Sequence, residues 1–305
     1  MLKRSCLPLF LTCSLSLAMA GAVASGEGQV VETATAAEAP VKEGDFQFEC
    51  THAGASIRAF GYRPPHYAGG PLLVLFHGAS RNARGYRDGA RILAEKLGML
   101  LVVPEFDRPR FDVEAYQEGG VMKNGKLQPR DQWTFGYLEP LLEQAFASAG
   151  GKLPYYLVGH SAGAQFLGRM AALYPNEARR MVLVNPGSLM FPDREQRYPY
   201  GFGGLPEEMA SGEVLQRYLA SPLAFFLGTG DTGLKDLSTT KRAMKQGATR
   251  IERGRNCHAA GLKLAASEQW PCAWQRVEAE GLAHGSGPMW EHGNCRLAIL
   301  GEEPK

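Results

Sequence analysis

Five short, uninterrupted apolar runs punctuate the chain: Leu72–Phe76, Met99–Val103, Tyr155–Val158, Met181–Val184 and Ala224–Leu227. Each is followed by turn residues and then by a longer stretch in which apolar positions recur at helical spacing. Continuous apolar runs of this length suit strands buried on both faces, as in a parallel sheet. The helical patterns lie near Ala83–Leu97, Phe135–Ser148, Ala162–Tyr174 and Leu237–Gln246. Ahead of the first buried run, Phe46–Cys50 and Ser56–Tyr62 alternate and meet at Ala53-Gly54, which predicts an antiparallel hairpin. A last strand near Trp274–Glu280 precedes a C-terminal helix near Gly287–Leu300. Alternating strand and helix predict an α/β fold: about eight strands, mostly parallel, with helices on both faces.

Two stretches fit neither pattern. Glu114–Trp133 is polar with Gly and Asn-Gly turns, and residues 187–221 are rich in Pro, Gly and aromatics. Both follow the carboxyl end of a buried run, the edge at which open α/β sheets bind ligands. The second is expected to form a small lid insertion.

The N-terminus changes the compartment. Lys3 and Arg4 precede an apolar segment from Leu7 to Met19, and Ala18-Met19-Ala20 and Ala22-Val23-Ala24 are small-x-small cleavage sites. This predicts a signal peptide over 1–24, a polar linker over 25–43 and one folded domain over 44–305, in an exported protein of the periplasm or the extracellular medium. The apolar segment is too short for a good membrane span, so no stable membrane insertion is expected after cleavage. Export leaves Cys50, Cys257, Cys272 and Cys295, for which disulfides Cys257–Cys272 and Cys50–Cys295 are the expected pairing among three. Zinc is the weaker alternative. His258 beside Cys257 and His292 near Cys295 lack the paired Cys-x-x-Cys frame.

Charge is nearly balanced: 33 Lys and Arg against 31 Asp and Glu, a formal +2 over 305 residues. No concentrated basic face points to nucleic acid. The small cluster Arg250, Arg253 and Arg255 reads as a solvated loop.

The candidate chemistry starts at Gly159-His160-Ser161-Ala162-Gly163, where an apolar run breaks into a helical pattern. A serine there sits on a sharp strand-to-helix turn with its hydroxyl exposed. It needs a base to take its proton. An acid is expected just past a later buried strand, where Leu227-Gly228-Thr229-Gly230-Asp231 fits; Asp236 is the rival, at the start of a helical pattern. Among His258, His284 and His292, His284 follows the last strand directly and is the preferred base. Two N–H donors are needed for an oxyanion. Ala162 follows the serine, and Ala79 lies in Phe76-His77-Gly78-Ala79-Ser80, with His77 as loop packing.

The order Ser, Asp, His resembles that of the α/β-hydrolase superfamily, over about Phe46 to Leu300. Within it the chain is similar to secreted esterases of the polyhydroxybutyrate-depolymerase and feruloyl-esterase type. The resemblance rests on His77-Gly78, Gly159–Gly163, Gly228–Thr232 and Gly281–His284, with Gln246–Gly254 also similar. It implies hydrolysis of a small or oligomeric carboxylic ester without metal or organic cofactor. The depolymerases often carry a cysteine after His-Gly where this chain has Ala79, and no separate polymer-binding module is evident. An amidase or peptidase using the same residues, and a non-catalytic binding protein on the same fold, remain the alternatives.

Overall fold

The computed structural model describes residues 41–301. The expected signal segment and nearly all of the expected linker lie outside the described residues. In chain order the elements are β1 (Gly44–His52), β2 (Ala55–Arg63), β3 (Leu72–Phe76), α1 (Ala83–Gly89), α2 (Arg91–Leu97), β4 (Leu100–Pro104), a two-residue-per-strand hairpin β5–β6 (Met122–Lys123, Lys126–Leu127), α3 (Leu138–Ala149), β7 (Tyr155–His160) and α4 (Ala162–Leu173). There follow β8 (Arg180–Val184), α5 (Glu207–Ala210), α6 (Gly212–Ala220), β9 (Leu223–Gly228), α7 (Lys241–Met244), α8 (Arg250–Glu268), β10 (Gln275–Ala279), α9 (Ser286–Glu291) and α10 (Asn294–Leu300).

Eight strands form one sheet in the order β1-β2-β4-β3-β7-β8-β9-β10. β2 runs antiparallel to β1 and β4, and the remaining pairs are parallel. The five apolar runs are the five central strands, and their burial on both faces explains why they do not alternate with polar residues. Leu72, Val74, Leu157, Leu183 and Phe225 face a core shared with α3, α4, α6 and α8. Their neighbours Leu73, Val158, Val182 and Phe226 face a second core with α1, α2, α9 and α10.

Three helices differ from expectation. The pattern at 83–97 is two helices with Ala90 at the junction, where its backbone serves both ends. The C-terminal pattern also divides, at His292-Gly293. Of the stretch 237–246 only Lys241–Met244 is helical, capped by the Thr240 side chain. The major helix between β9 and β10 is instead α8. It begins at a capping box in which Thr249 and Glu252 satisfy each other's backbone N–H groups.

The expected disulfides are absent, because the four cysteines among the described residues are free. Cys50 packs in the first core and Cys295 in the second, so the sheet stands between them. Helix α8 runs on from Cys257 to Glu268, about 17 Å at 1.5 Å per residue, and the Trp270 amide still bonds the Ala265 carbonyl. Cys272 is thus held near the far end of the helix. Burial pushes the Cys50 and Cys295 thiols up to about 12 and raises Cys257 and Cys272 as well.

Residues 187–221, expected as a lid, are anchored to the body of the domain. Tyr218 Oη donates to the Met190 carbonyl, and the Gln246 side chain bonds both backbone groups of Leu189. Tyr198 Oη donates to the Glu118 carbonyl, joining this insertion to the other irregular stretch.

Candidate active site

The carboxyl edge of the sheet gathers the loops after β3, β7, β8, β9 and β10. Ser161 lies between β7 and α4 at φ 55° and ψ −106°, a region a non-glycine residue rarely occupies. The turn is that tight because strand and helix cross at van der Waals contact. A Cβ on Gly159 would come 2.3 Å from the Gly163 carbonyl oxygen, and one on Gly163 would come 2.2 Å from that of Phe76. The turn is pinned sideways by the Ser161 amide donating to the Val184 carbonyl at 2.9 Å. Although Ser161 occupies the N-cap position of α4, its hydroxyl makes no capping bond.

That hydroxyl instead lies 3.0 Å from His284 Nε2, and His284 Nδ1 lies 2.7 Å from Asp231 Oδ2. A carboxylate only accepts, so Nδ1 carries the proton and Nε2 is free to accept from Ser161. Asp231 is buried, and the His284 side chain is 34% exposed. Two interlocked loops bring Asp231 and His284 together. The Thr229 amide donates to the Ala279 carbonyl and the Gly230 amide to the Leu282 carbonyl, while the Thr229 hydroxyl accepts from the Gly281 amide. A side chain at Gly228 would strike the Leu282 carbonyl oxygen at 2.4 Å. Buried Asn185, left-handed at φ 47°, completes the lock. Its Oδ1 accepts from the Gly228 amide and its Nδ2 donates to the Ala283 carbonyl.

On the other side of Ser161, the loop after β3 is fixed from three directions. His77 Nδ1 donates to the Gly78 carbonyl and its Nε2 accepts from the Phe106 amide at 3.1 Å. Tyr116 Oη donates to the His77 carbonyl, and Arg108 Nη2 to the Ala79 carbonyl at 2.7 Å. Burial lowers His77 to about 4, so it is a neutral packing group, in keeping with its expected role. Among the described residues, neither the Ala79 nor the Ala162 amide has a hydrogen-bond acceptor. The Ala162 amide thus stays unpaired at the serine turn, and the Ala79 amide in the loop leaving β3, the neighbour of β7.

His160 ties the two sides together. Its Nε2 donates to the His284 carbonyl at 2.7 Å, so its Nδ1 accepts from Tyr86 Oη at 2.8 Å. Burial lowers it to about 3, with the nearby His284 ring contributing next. It is a neutral strut.

The structure thus brings together Ser161, His284 and Asp231; Ala162 follows the serine, and the loop that carries Ala79 leaves β3, the strand paired with β7. It does not bring in the rivals. Asp236 is exposed, His258 packs against Phe225 on α8, and His292 sits between α9 and α10 near Phe226. The residues that sequence reasoning missed are His160, Asn185 and Arg250. His160 lies inside the serine motif and Asn185 ends an apolar run, but neither position carries a signal of its role. Arg250 and Arg253, expected in a solvated loop, are buried at the start of α8. The reason is that backbone carbonyls receive both guanidinium groups. Arg250 bonds those of Gly233 and Lys235, and Arg253 those of Gly187, Ser238 and Gly247. Among the described residues no cluster of three or more His, Cys, Asp or Glu is placed to hold a metal ion.

No curated protein matches the chain. Solved structures do. A poly(aspartic acid) hydrolase from Sphingomonas sp. KT-1 is 34% identical over 82% of this chain and 97% of its own, with a TM-score of 0.77. A poly(3-hydroxybutyrate) depolymerase from Bordetella parapertussis is 28% identical over 87% of this chain and 92% of its own, at 0.76. A putative dienelactone hydrolase from Klebsiella pneumoniae subsp. pneumoniae, 14% identical over 85% of this chain and all of its own, shares the fold at 0.51. The family model for the alpha/beta hydrolase fold matches residues 71–252. With that match spanning more than half of its length, and the mostly parallel eight-stranded sheet beneath it, the chain belongs to the α/β-hydrolase family.

Proposed function

We propose that this hydrolase is a serine enzyme that cleaves carboxylic esters through Ser161, His284 and Asp231. The observation that carries the reading is the continuous hydrogen-bonded path from the Ser161 hydroxyl through both ring nitrogens of His284 to buried Asp231. Ser161 Oγ attacks the acyl carbon as its proton passes to His284 Nε2. Asp231 holds the ring in the required tautomer and stabilises the imidazolium. The Ala79 and Ala162 amides receive the developing oxyanion, and a donor of this kind contributes about 3–4 kcal/mol in the transition state. The imidazolium then protonates the departing alcohol, leaving an acyl-serine. Water, deprotonated by His284, releases the acid. No step calls for a cofactor.

A second reading is amide hydrolysis by the same residues. It is favoured by the 34% identical poly(aspartic acid) hydrolase, whose polymer is held together by amides. The polyester depolymerase at 28% favours the ester, and together the two suggest an oligomeric substrate. The deciding experiment is turnover of p-nitrophenyl esters of rising chain length against p-nitroanilides, with Ser161→Ala as control. Ester turnover lost in the variant supports the proposal. Full turnover in Ser161→Ala would sink the mechanism, and selective anilide cleavage would establish the second reading. Export is part of the proposal, resting on the basic and apolar N-terminal pattern. N-terminal sequencing of the native protein starting at Gly21 or Ser25 would support it, and a start at residue 1 or 2 would refute it.

A further inference from the structure

Arg250 is a fully buried cation at the back of the acid loop, and the reaction as described does not use it. Its side chain is 2% exposed, like that of Asp231. Burying a guanidinium without fixed partners is costly, so its contacts indicate what it holds. Nη1 donates to the Gly233 carbonyl at 2.9 Å and Nη2 to the Lys235 carbonyl at 2.5 Å, while Nη1 also faces Asp231 Oδ1 at 3.5 Å. All three acceptors belong to one five-residue loop. The bonds to the carbonyls are the short ones, so they set position. The longer approach to Oδ1 places a positive charge against the oxygen that His284 does not use. Asp231 is thus divided, with Oδ2 to His284 and Oδ1 to Arg250.

We infer that Arg250 is a positioning residue for the proton relay, fixing the Asp231 loop and setting the charge balance against which His284 takes up its proton. This rests on the serine-hydrolase reading above. The other charged or titratable groups facing the pair are His160, held neutral by burial, and Arg253, one turn further along α8. Arg253 supplies an internal contrast. It is as deeply buried, but its oxygen acceptors are the carbonyls of Gly187, Ser238 and Gly247, and among the described residues it forms no ion pair with a carboxylate.

The sign of the electrostatic effect follows from the charges. A cation beside Asp231 opposes the pull of the carboxylate on the imidazolium. With the guanidinium removed, the imidazolium persists to higher pH and the acid limb of kcat/KM moves up.

The test is the pH profile and the separate kcat and KM of Arg250→Met, Arg250→Lys and Arg253→Met on an ester that wild type cleaves, with thermal melting of each. Arg250→Met is expected to lose roughly 10- to 100-fold in kcat with little change in KM, the scale set by ångström-level misplacement of a reacting group. Its acid limb should shift upward. Arg250→Lys keeps the charge but not the fork, so its limb should stay in place while kcat recovers only in part. Arg253→Met should melt lower and keep the wild-type limb. A wild-type kcat and limb in Arg250→Met, or changes matching those of Arg253→Met, overturn the inference. Should Arg250→Met not fold, Arg250→Lys decides: a reduced kcat with the limb unmoved supports the role, and a wild-type kcat removes it. A wild type that neither turns over ester or anilide nor is labelled at Ser161 by a phosphonate refutes the serine-hydrolase reading, and this inference falls with it.

Discussion

The two sides of Ser161 are built by different physics. On the side of the serine turn and the loop after β3, position comes from close packing and from hydrogen bonds that, apart from the one Arg108 donates to the Ala79 carbonyl, join neutral groups. Gly159 and Gly163 let backbone meet backbone, and the buried histidines His77 and His160 brace the loops without carrying charge. On the side of Asp231 and His284, position comes from two loops that interlock around a buried carboxylate and a buried guanidinium. The first side is steric, so a single methyl group disturbs it. The second is electrostatic and assembled over long range, so it responds to the removal of a charge.

The largest expected effect is on the second side. Asp231→Asn leaves the shape of the loop but reverses the hydrogen-bonding preference for His284, and kcat should fall by about 10⁴-fold with the protein still folded. Steady-state kinetics beside a melting curve checks this, and a loss under tenfold would mean that Asp231 is not the partner that matters. The neutral histidines make the first side acid-labile. Their folded values, about 3 and about 4, lie below the ordinary 6.5, so the unfolded chain binds more protons between those limits. Their stabilising contribution is complete above about pH 6.5 and is lost as pH falls toward 4 and then 3, at about 1.4 kcal/mol per pH unit for each histidine. Urea unfolding at several pH values measures the slope, and replacing His77 by Gln should flatten it.

Smaller again is Gly163→Ala. Its Cβ meets the Phe76 carbonyl, so strand and helix must part, at roughly 1–3 kcal/mol of stability by the usual scale for overpacking. Ester turnover should fall with it because Ser161 shifts. Unchanged turnover would show that the turn tolerates more play than the contact distances allow. The mildest is Tyr86→Phe, which leaves His160 Nδ1 without a donor at a cost of about 1–2 kcal/mol in denaturant unfolding. A change below a few tenths would mean that His160 is braced from the His284 side alone.

Much of this was legible along the chain. The buried strands announce themselves because residues covered on both faces have no reason to alternate. Gly159–Gly163 announces itself because only glycine permits that approach. Asp231 and His284 follow because the loops after β9 and β10 end on the same sheet edge. Other features were not legible. Arg250 and Arg253 look like surface charge in a linear reading, and become buried only because carbonyls from residues 187, 233, 235, 238 and 247 converge on them. The cysteine pairing failed for a related reason. An even count in a chain with a signal-like N-terminus suggests bridges, but whether two thiols share a face of the sheet depends on register and packing, and Cys50 and Cys295 do not.

Pattern and composition alone therefore determine the α/β architecture, the serine turn and the order of Ser161, Asp231 and His284 along the sheet edge, since these depend on periodicity and on residues with special backbone tolerance. The tertiary structure alone decides which buried groups are charged and which are neutral around that serine. It makes His160 a neutral strut and Arg250 a buried cation, because the cost of burying a proton or a charge is set by the carbonyls and carboxylates that distant segments bring within hydrogen-bonding range.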